Sequence, residues 1–147
     1  SVLSQAFRLA KSRREDDESR EKAEELLEFL EIQAIRKTSV GQLSYGLQKR
    51  VELGRALAAE PKCLLLDEPM AGMSPDEKQD MTRFILQAKE AYGMTVVLIE
   101  HDLGVVMDIS DHVIVLDYGR KIADGIPEEI KRDQKVIDAY VGKNTDI

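Results

Sequence analysis

With 147 residues, a single cysteine and a formal net charge of −7, the chain is long enough for a domain with its own core and cannot form an internal disulfide. Its 28 acidic residues outnumber 21 basic ones, which argues against a nucleic-acid binder, whose footprint is a basic face. No apolar run approaches the roughly 20 residues of a membrane helix, and no signal peptide opens the chain at Ser1, so a role at a membrane is expected to run through a partner.

Taken in chain order, the first expected element is a helix. Ser12 with Glu15 three residues on forms a capping pattern, and the mixed charges around it read as a solvated helix start. Ala23, Leu26, Leu27 and Leu30 then fall on one face, and the helix is expected to fade near Gln33. A second helix is expected from Ser44 to Glu60, where Pro61 stops it, with Leu47, Val51, Gly54 and Ala58 facing inward and Leu53 and Leu57 beside them.

The period then changes. Cys63-Leu64-Leu65-Leu66 is unbroken, too short for a helix, and runs into Asp67 and Glu68, the pattern of a strand buried on both faces of a parallel sheet. Ser74, Pro75 and Glu77 supply an N-cap, an N1 proline and a capping-box acid for a third helix. Met81, Phe84, Ile85 and Ala88 are its apolar stripe and Gly93 its end. Thr95 to Ile99 repeats the buried-strand pattern and leads into Glu100 and His101. A short helix from about Leu103, a strand from His112 to Leu116, a turn at Asp117-Tyr118-Gly119, a fourth strand near Arg120 to Ala123 and a helical stretch from Pro127 to Tyr140 complete the chain. Helices in front of a strand–helix–strand succession predict an α/β fold with a helical segment preceding a parallel sheet.

Four features carry chemistry. In Leu43-Ser44-Tyr45-Gly46-Leu47-Gln48-Lys49-Arg50, a serine and a glycine stand at a helix start. Free N–H groups and the positive dipole end favour an anion there, though an ordinary N-cap satisfies the same pattern. Asp67 and Glu68 end a buried strand, the place where open α/β sheets bind ligands; Asp67 suits Mg²⁺ and Glu68 an attacking water. Ala71-Gly72-Met73-Ser74 is a tight loop directly after them. His101 ends the neighbouring strand, where it could touch a phosphate, although a lone histidine is more often structural; His112 has no such setting.

As an ordered set these features resemble the ABC ATPase family, over nearly the whole chain. Leu43 to Gln48 resembles its signature motif, Cys63 to Glu68 its Walker B strand, Ala71 to Ser74 its D-loop and His101 its switch histidine. Tyr45, the segment Gly125 to Ile130, and Val136 to Gly142 look most like branched-chain amino-acid importer ATPases. Leu47 stands where the family usually has glutamine, Tyr45 where it often has glycine and Ser74 where it often has aspartate.

The resemblance implies a P-loop NTPase fold without its P-loop part, with residues 1–60 as a helical subdomain and 61–147 as the C-terminal part of the ATPase core. No Gly-x-x-x-x-Gly-Lys-Ser/Thr occurs, and only 43 residues precede Ser44, so a truncated chain is the expectation. The resemblance further implies ATP and Mg²⁺ as cofactors, a head-to-tail dimer with a second ATPase subunit, transmembrane permease subunits as partners, and the cytoplasmic face of the membrane as location. Ser44, Tyr45, Gly46, Leu47, Gln48 and Ser74 would contact nucleotide, Asp67 would hold metal, and Glu68 and His101 would be catalytic. A competing expectation is a non-catalytic interaction remnant of such an ATPase.

Overall fold

The computed structural model describes the backbone of residues 2–141 and the side chains of residues 16–140. The elements are α1 (Val2–Phe29), α2 (Tyr45–Leu57), β1 (Cys63–Asp67), α3 (Pro75–Tyr92), β2 (Thr95–Ile99), α4 (Leu103–Ile109), β3 (Val113–Asp117), β4 (Arg120–Gly125), α5 (Pro127–Ile130) and α6 (Gln134–Val141). Short 3₁₀ turns at Gln33–Ile35 and Val40–Gln42 link α1 to α2. The chain divides into two compact units, residues 1–97 and 98–147, and the boundary falls inside β2. No described helix is long and apolar enough to cross a membrane.

In the first unit, α1 runs through Ser12 rather than starting there, so Ser12 is an interior residue and not a cap. Helical pairing continues upstream of it, and a Ser-x-x-Glu pattern marks a start only where the preceding residues leave the helix. Leu26 and Leu30 are buried, while Ala23 on the expected face is exposed. α1 lies close on α2: a β-carbon at Gly54 would stand 2.8 Å from Leu30 Cδ1. The buried stripe of α2 is Gly46, Leu53 and Leu57, rotated from the expected one, with Ala58 exposed. Leu53 and Leu57 lie four apart and hold more apolar area than the glycine and alanine of the expected stripe, so burying them removes more surface from water.

The stripe of α3 is as expected. Met81, Phe84, Ile85 and Ala88 are buried, Ser74 and Glu77 form a reciprocal capping box, and Gly93 closes the helix with φ 58°. Phe84 is fully buried, with its ring 6.2 Å from Phe29 and the guanidinium groups of Arg50 and Arg83 at 5.0 and 4.4 Å. Arg50 also reaches Asp80 at 2.5 Å, and Arg83 bonds Asp80 at 3.2 Å and Glu31 at 2.9 and 3.2 Å. Two aromatic and four charged groups therefore tie the end of α1, the middle of α2 and the middle of α3 together.

The strands differ from expectation. β1 and β2 are hydrogen-bonded neighbours with α3 between them in the chain. Yet only Leu64 of β1 is buried; Leu65 is 72% exposed, and β2 has no buried residue. An unbroken apolar run records hydrophobic content, not how many layers cover it. In the second unit, β3 and β4 form an antiparallel hairpin with Val113 opposite Gly125 and Asp117 opposite Arg120, and a register shift between Val115 and Leu116. Val113, Val115, Ile130 and Val136 form its core, and the terminal helical stretch is two helices, α5 and α6, instead of one.

Candidate functional site

The start of α2 is built around Ser44. Its backbone is still extended, with φ −60° and ψ 158°, and its hydroxyl accepts the Leu47 N–H at 3.4 Å while its carbonyl accepts the Gln48 N–H at 3.0 Å. The Gln48 side-chain amide donates to the Leu43 carbonyl at 2.9 Å, so this amide braces the approach to the helix from within the chain. Tyr45 is half exposed, with Lys49 Nζ 5.6 Å from the centre of its ring. The Lys49 pKa is raised, chiefly by its hydrogen bond to Glu52. The first turn of α2 contains no acidic residue, so the positive end of the helix is not neutralised from within its own sequence.

Beside it lies the loop that enters α3. Gly72 has φ 72°, a conformation that disfavours any residue with a β-carbon, and the Tyr45 ring lies over it: a β-carbon there would be 3.5 Å from Tyr45 Cε1. Ser74 Oγ accepts the Glu77 N–H at 3.3 Å, and Glu77 Oε2 accepts the Ser74 N–H at 2.9 Å. The structure thus brings Ser44, Tyr45 and Gly46 together with Ser74 through Gly72 and Glu77. Glu77 was legible in the sequence only as the acid of a capping box. Its second contact, on α2, has no local sequence signal.

Asp67 is the last residue of β1 and Glu68 the next, and both are exposed. Glu68 sits in the left-handed region at φ 43°, which costs a non-glycine residue about 1–2 kcal/mol and aims its side chain differently from a continuing strand. The turn behind it is held by the Ala71 N–H on the Glu68 carbonyl at 3.2 Å and the Met73 N–H on the Met70 carbonyl at 3.3 Å, with Pro69, Met70 and Met73 buried. Asp67 also lines a cavity of about 230 Å³ between β1 and α2, together with Lys49, Glu52, Leu53 and Leu66.

In the second unit, His101 is exposed, two residues beyond the end of β2, and Asp102 beside it caps α4 by accepting the Val105 N–H at 3.4 Å. His112 lies at the start of the β3–β4 hairpin. Its Nε2 lies 2.6 Å from Asp124 Oδ1, while Lys121 Nζ holds the other carboxylate oxygen at 2.7 Å. These two contacts, the lysine's first, lower the Asp124 pKa.

No cluster of three or more His, Cys, Asp or Glu side chains suited to a metal occurs among the described residues. The donor set still fits Mg²⁺ carried by a phosphate ligand, because that ion binds through one or two carboxylates and completes its shell with water and phosphate oxygens. Asp67, at the end of β1, offers such a carboxylate.

A family model described as ABC transporter matches residues 1–71, and one described as branched-chain amino acid ATP-binding cassette transporter matches residues 120–145. The chain is 40% identical, over 96% of its length, to the high-affinity branched-chain amino acid transport ATP-binding protein BraF of Pseudomonas aeruginosa, covering 55% of that protein. It is 38% identical, over 84% of its length, to the lipopolysaccharide export system ATP-binding protein LptB of Haemophilus influenzae, covering 51% of it. A crystal structure of the ADP conformation of an ATP-binding cassette of an ABC transporter superposes with a TM-score of 0.76 at 39% identity, over 85% of this chain and 50% of that one. The chain therefore spans about half the length of the relatives it matches.

Proposed function

The chain belongs to the ABC transporter ATP-binding family, and on that premise we propose that it forms one side of a shared ATP site that powers solute transport across a membrane. The observation that carries the reading is the start of α2: a serine-capped helix end with no acid in its first turn, set against the loop at Gly72 and Ser74. Phosphoryl transfer needs positioning and stabilisation of spread negative charge more than covalent chemistry, and such a helix end offers both.

In this reading Ser44 and the N–H groups near Gly46 clasp the terminal phosphate of an ATP held by the P-loop of a second ATPase subunit. The two subunits lie head to tail, so that each P-loop faces the other's α2. Tyr45, Leu47 and Ser74 line the nucleotide, and Gln48 braces the serine from behind through Leu43. Asp67 would hold Mg²⁺, which would offset the charge of the phosphates. Glu68 accepts the proton of the attacking water, and His101 contacts the terminal phosphate. The cradle for the remaining phosphates lies outside these 147 residues, which contain no P-loop pattern. Residues 1–60 act as the helical subdomain that faces permease subunits at the cytoplasmic side of the membrane. Import of branched-chain amino acids is the reading favoured by relatives with such names and by the match at residues 120–145.

The test is Glu68→Gln in the protein that unites this chain with a P-loop. The amide keeps the shape of the carboxylate but cannot take the water's proton. Turnover is expected to fall by about 10²–10⁴ while ATP binding persists. Single-turnover hydrolysis near the wild-type rate would remove the base role from Glu68.

A further inference from the structure

The geometry points to Glu77 as a positioning residue that locks the first turn of α2 to the loop entering α3, so that Ser44, Gly46 and Ser74 meet a nucleotide as one rigid surface. Glu77 faces two ways. Oε2 accepts the Ser74 N–H at 2.9 Å and so belongs to the cap of α3. The same carboxylate lies against Gly46: a β-carbon built there would stand 2.7 Å from Glu77 Cδ, and closer still to Oε1. Gly46 is buried on the second residue of α2, and absence of its side chain is what admits the carboxylate. A second contact, the Tyr45 ring over Gly72, holds the same two segments together one residue away.

Two elements 30 residues apart are thus joined through one side chain whose rotamer is set by the capping box. A carboxylate beside the first turn of α2 is also favoured by the dipole of that helix. Bending either segment alone would break the Glu77 bond to Ser74 or open the packing on Gly46. The nucleotide role of this surface rests on the proposed function; the lock does not, and it can be measured without nucleotide.

The experiment is amide hydrogen exchange on the full 147-residue chain, read at Leu47 and Gln48 in α2 and at Ser74 and Glu77 in α3. Glu77→Ala is expected to speed exchange at all four amides by about fivefold, the equivalent of one lost cap bond. Glu77→Gln should restore protection, because glutamine also closes a capping box. Acceleration confined to Ser74 and Glu77 would reduce Glu77 to a cap of α3 and overturn the lock. Gly46→Ala attacks the same contact from the other side and leaves the α3 sequence intact. Alanine is the better helix former, so without the lock Leu47 and Gln48 stay protected and α3 is unaffected. With it, the added methyl displaces the Glu77 carboxylate, and Ser74 and Glu77 exchange faster. Unchanged exchange at Ser74 in this variant would also overturn the lock. Because no outcome depends on ATP, failure of the lock and failure of the ATPase reading are told apart.

Discussion

The starts of α2 and α3 are both capped by a serine, and they differ in what is left over. At α3 the cap is closed from within: Ser74 and Glu77 bond reciprocally, Pro75 removes one N–H, and Asp76 and Glu77 place negative charge in the first turn. At α2 the cap is half made. Ser44 accepts one N–H at 3.4 Å and no acid follows in the first turn; the carboxylate that lies against Gly46 is that of Glu77 from α3, already engaged by the Ser74 N–H. A saturated helix start has nothing to offer a ligand, whereas one with N–H groups left over keeps donors for an anion from outside. Two serines with the same local role are thus assigned different work by the residues three positions downstream, Leu47 in one case and Glu77 in the other.

The largest way to break this contrast is to remove what supports both helices. Phe84 is fully buried, packs near Phe29 and lies under Arg50 of α2 and Arg83 of α3. Phe84→Ala is expected to cost about 3–5 kcal/mol, read as a drop in the urea midpoint. A cost under about 1 kcal/mol would mean that α2 and α3 hold their places without this contact.

A smaller change sharpens the contrast itself. Each alanine removes one hydroxyl bond of similar length, 3.4 Å at Ser44 and 3.3 Å at Ser74, but Ser74→Ala also breaks a reciprocal box, so it should destabilise the chain by about 1 kcal/mol and Ser44→Ala by less, within the usual range of about 0.5–2 kcal/mol for caps. ATP affinity of the assembled protein should rank the other way, with Ser44→Ala the more damaging. Thermal melts and nucleotide titrations of the two variants give the ranking. If Ser44→Ala lost more stability and less affinity than Ser74→Ala, α2 would be an ordinary capped helix.

How much of this was legible beforehand follows from the range of each interaction. The α3 cap, its stripe of Met81, Phe84, Ile85 and Ala88, and its glycine end are local and were readable in full. The places of Ser44, Asp67, Glu68 and His101 at element ends were readable for the same reason. Burial of Leu65, Val97 and Ile99 was not, because a strand's cover comes from elsewhere in the fold; these three are 72, 47 and 60% exposed. Nor was the rotation of the α2 stripe to Leu53 and Leu57, which depends on where α1 and α3 stand. The contact of Glu77 with Gly46 is legible only in three dimensions, since neither residue departs from an ordinary local pattern.

The smallest expected effect concerns the charges that brace α2 against α3. Asp80 accepts from Arg83 at 3.2 Å and from Arg50 at 2.5 Å. The hydrogen bond from Arg83, then the charge of Arg50, hold its pKa below the ordinary carboxylate value of 3.8. A carboxyl group with a depressed folded-state pKa adds stability above its unfolded-state value and loses it as pH falls through the folded one. The contribution of Asp80 should therefore be complete at neutral pH and fade below about pH 4. Its side chain is 40% exposed and solvent screens the pair, so about 0.2–1 kcal/mol is at stake. Urea midpoints of the wild type and of Asp80→Asn should differ at pH 6 and converge toward pH 3. The Glu31 pairing with Arg83 is present in both proteins, so convergence isolates the Asp80 carboxylate. A gap that persists unchanged at pH 3 would assign its effect to packing under α2 and not to charge.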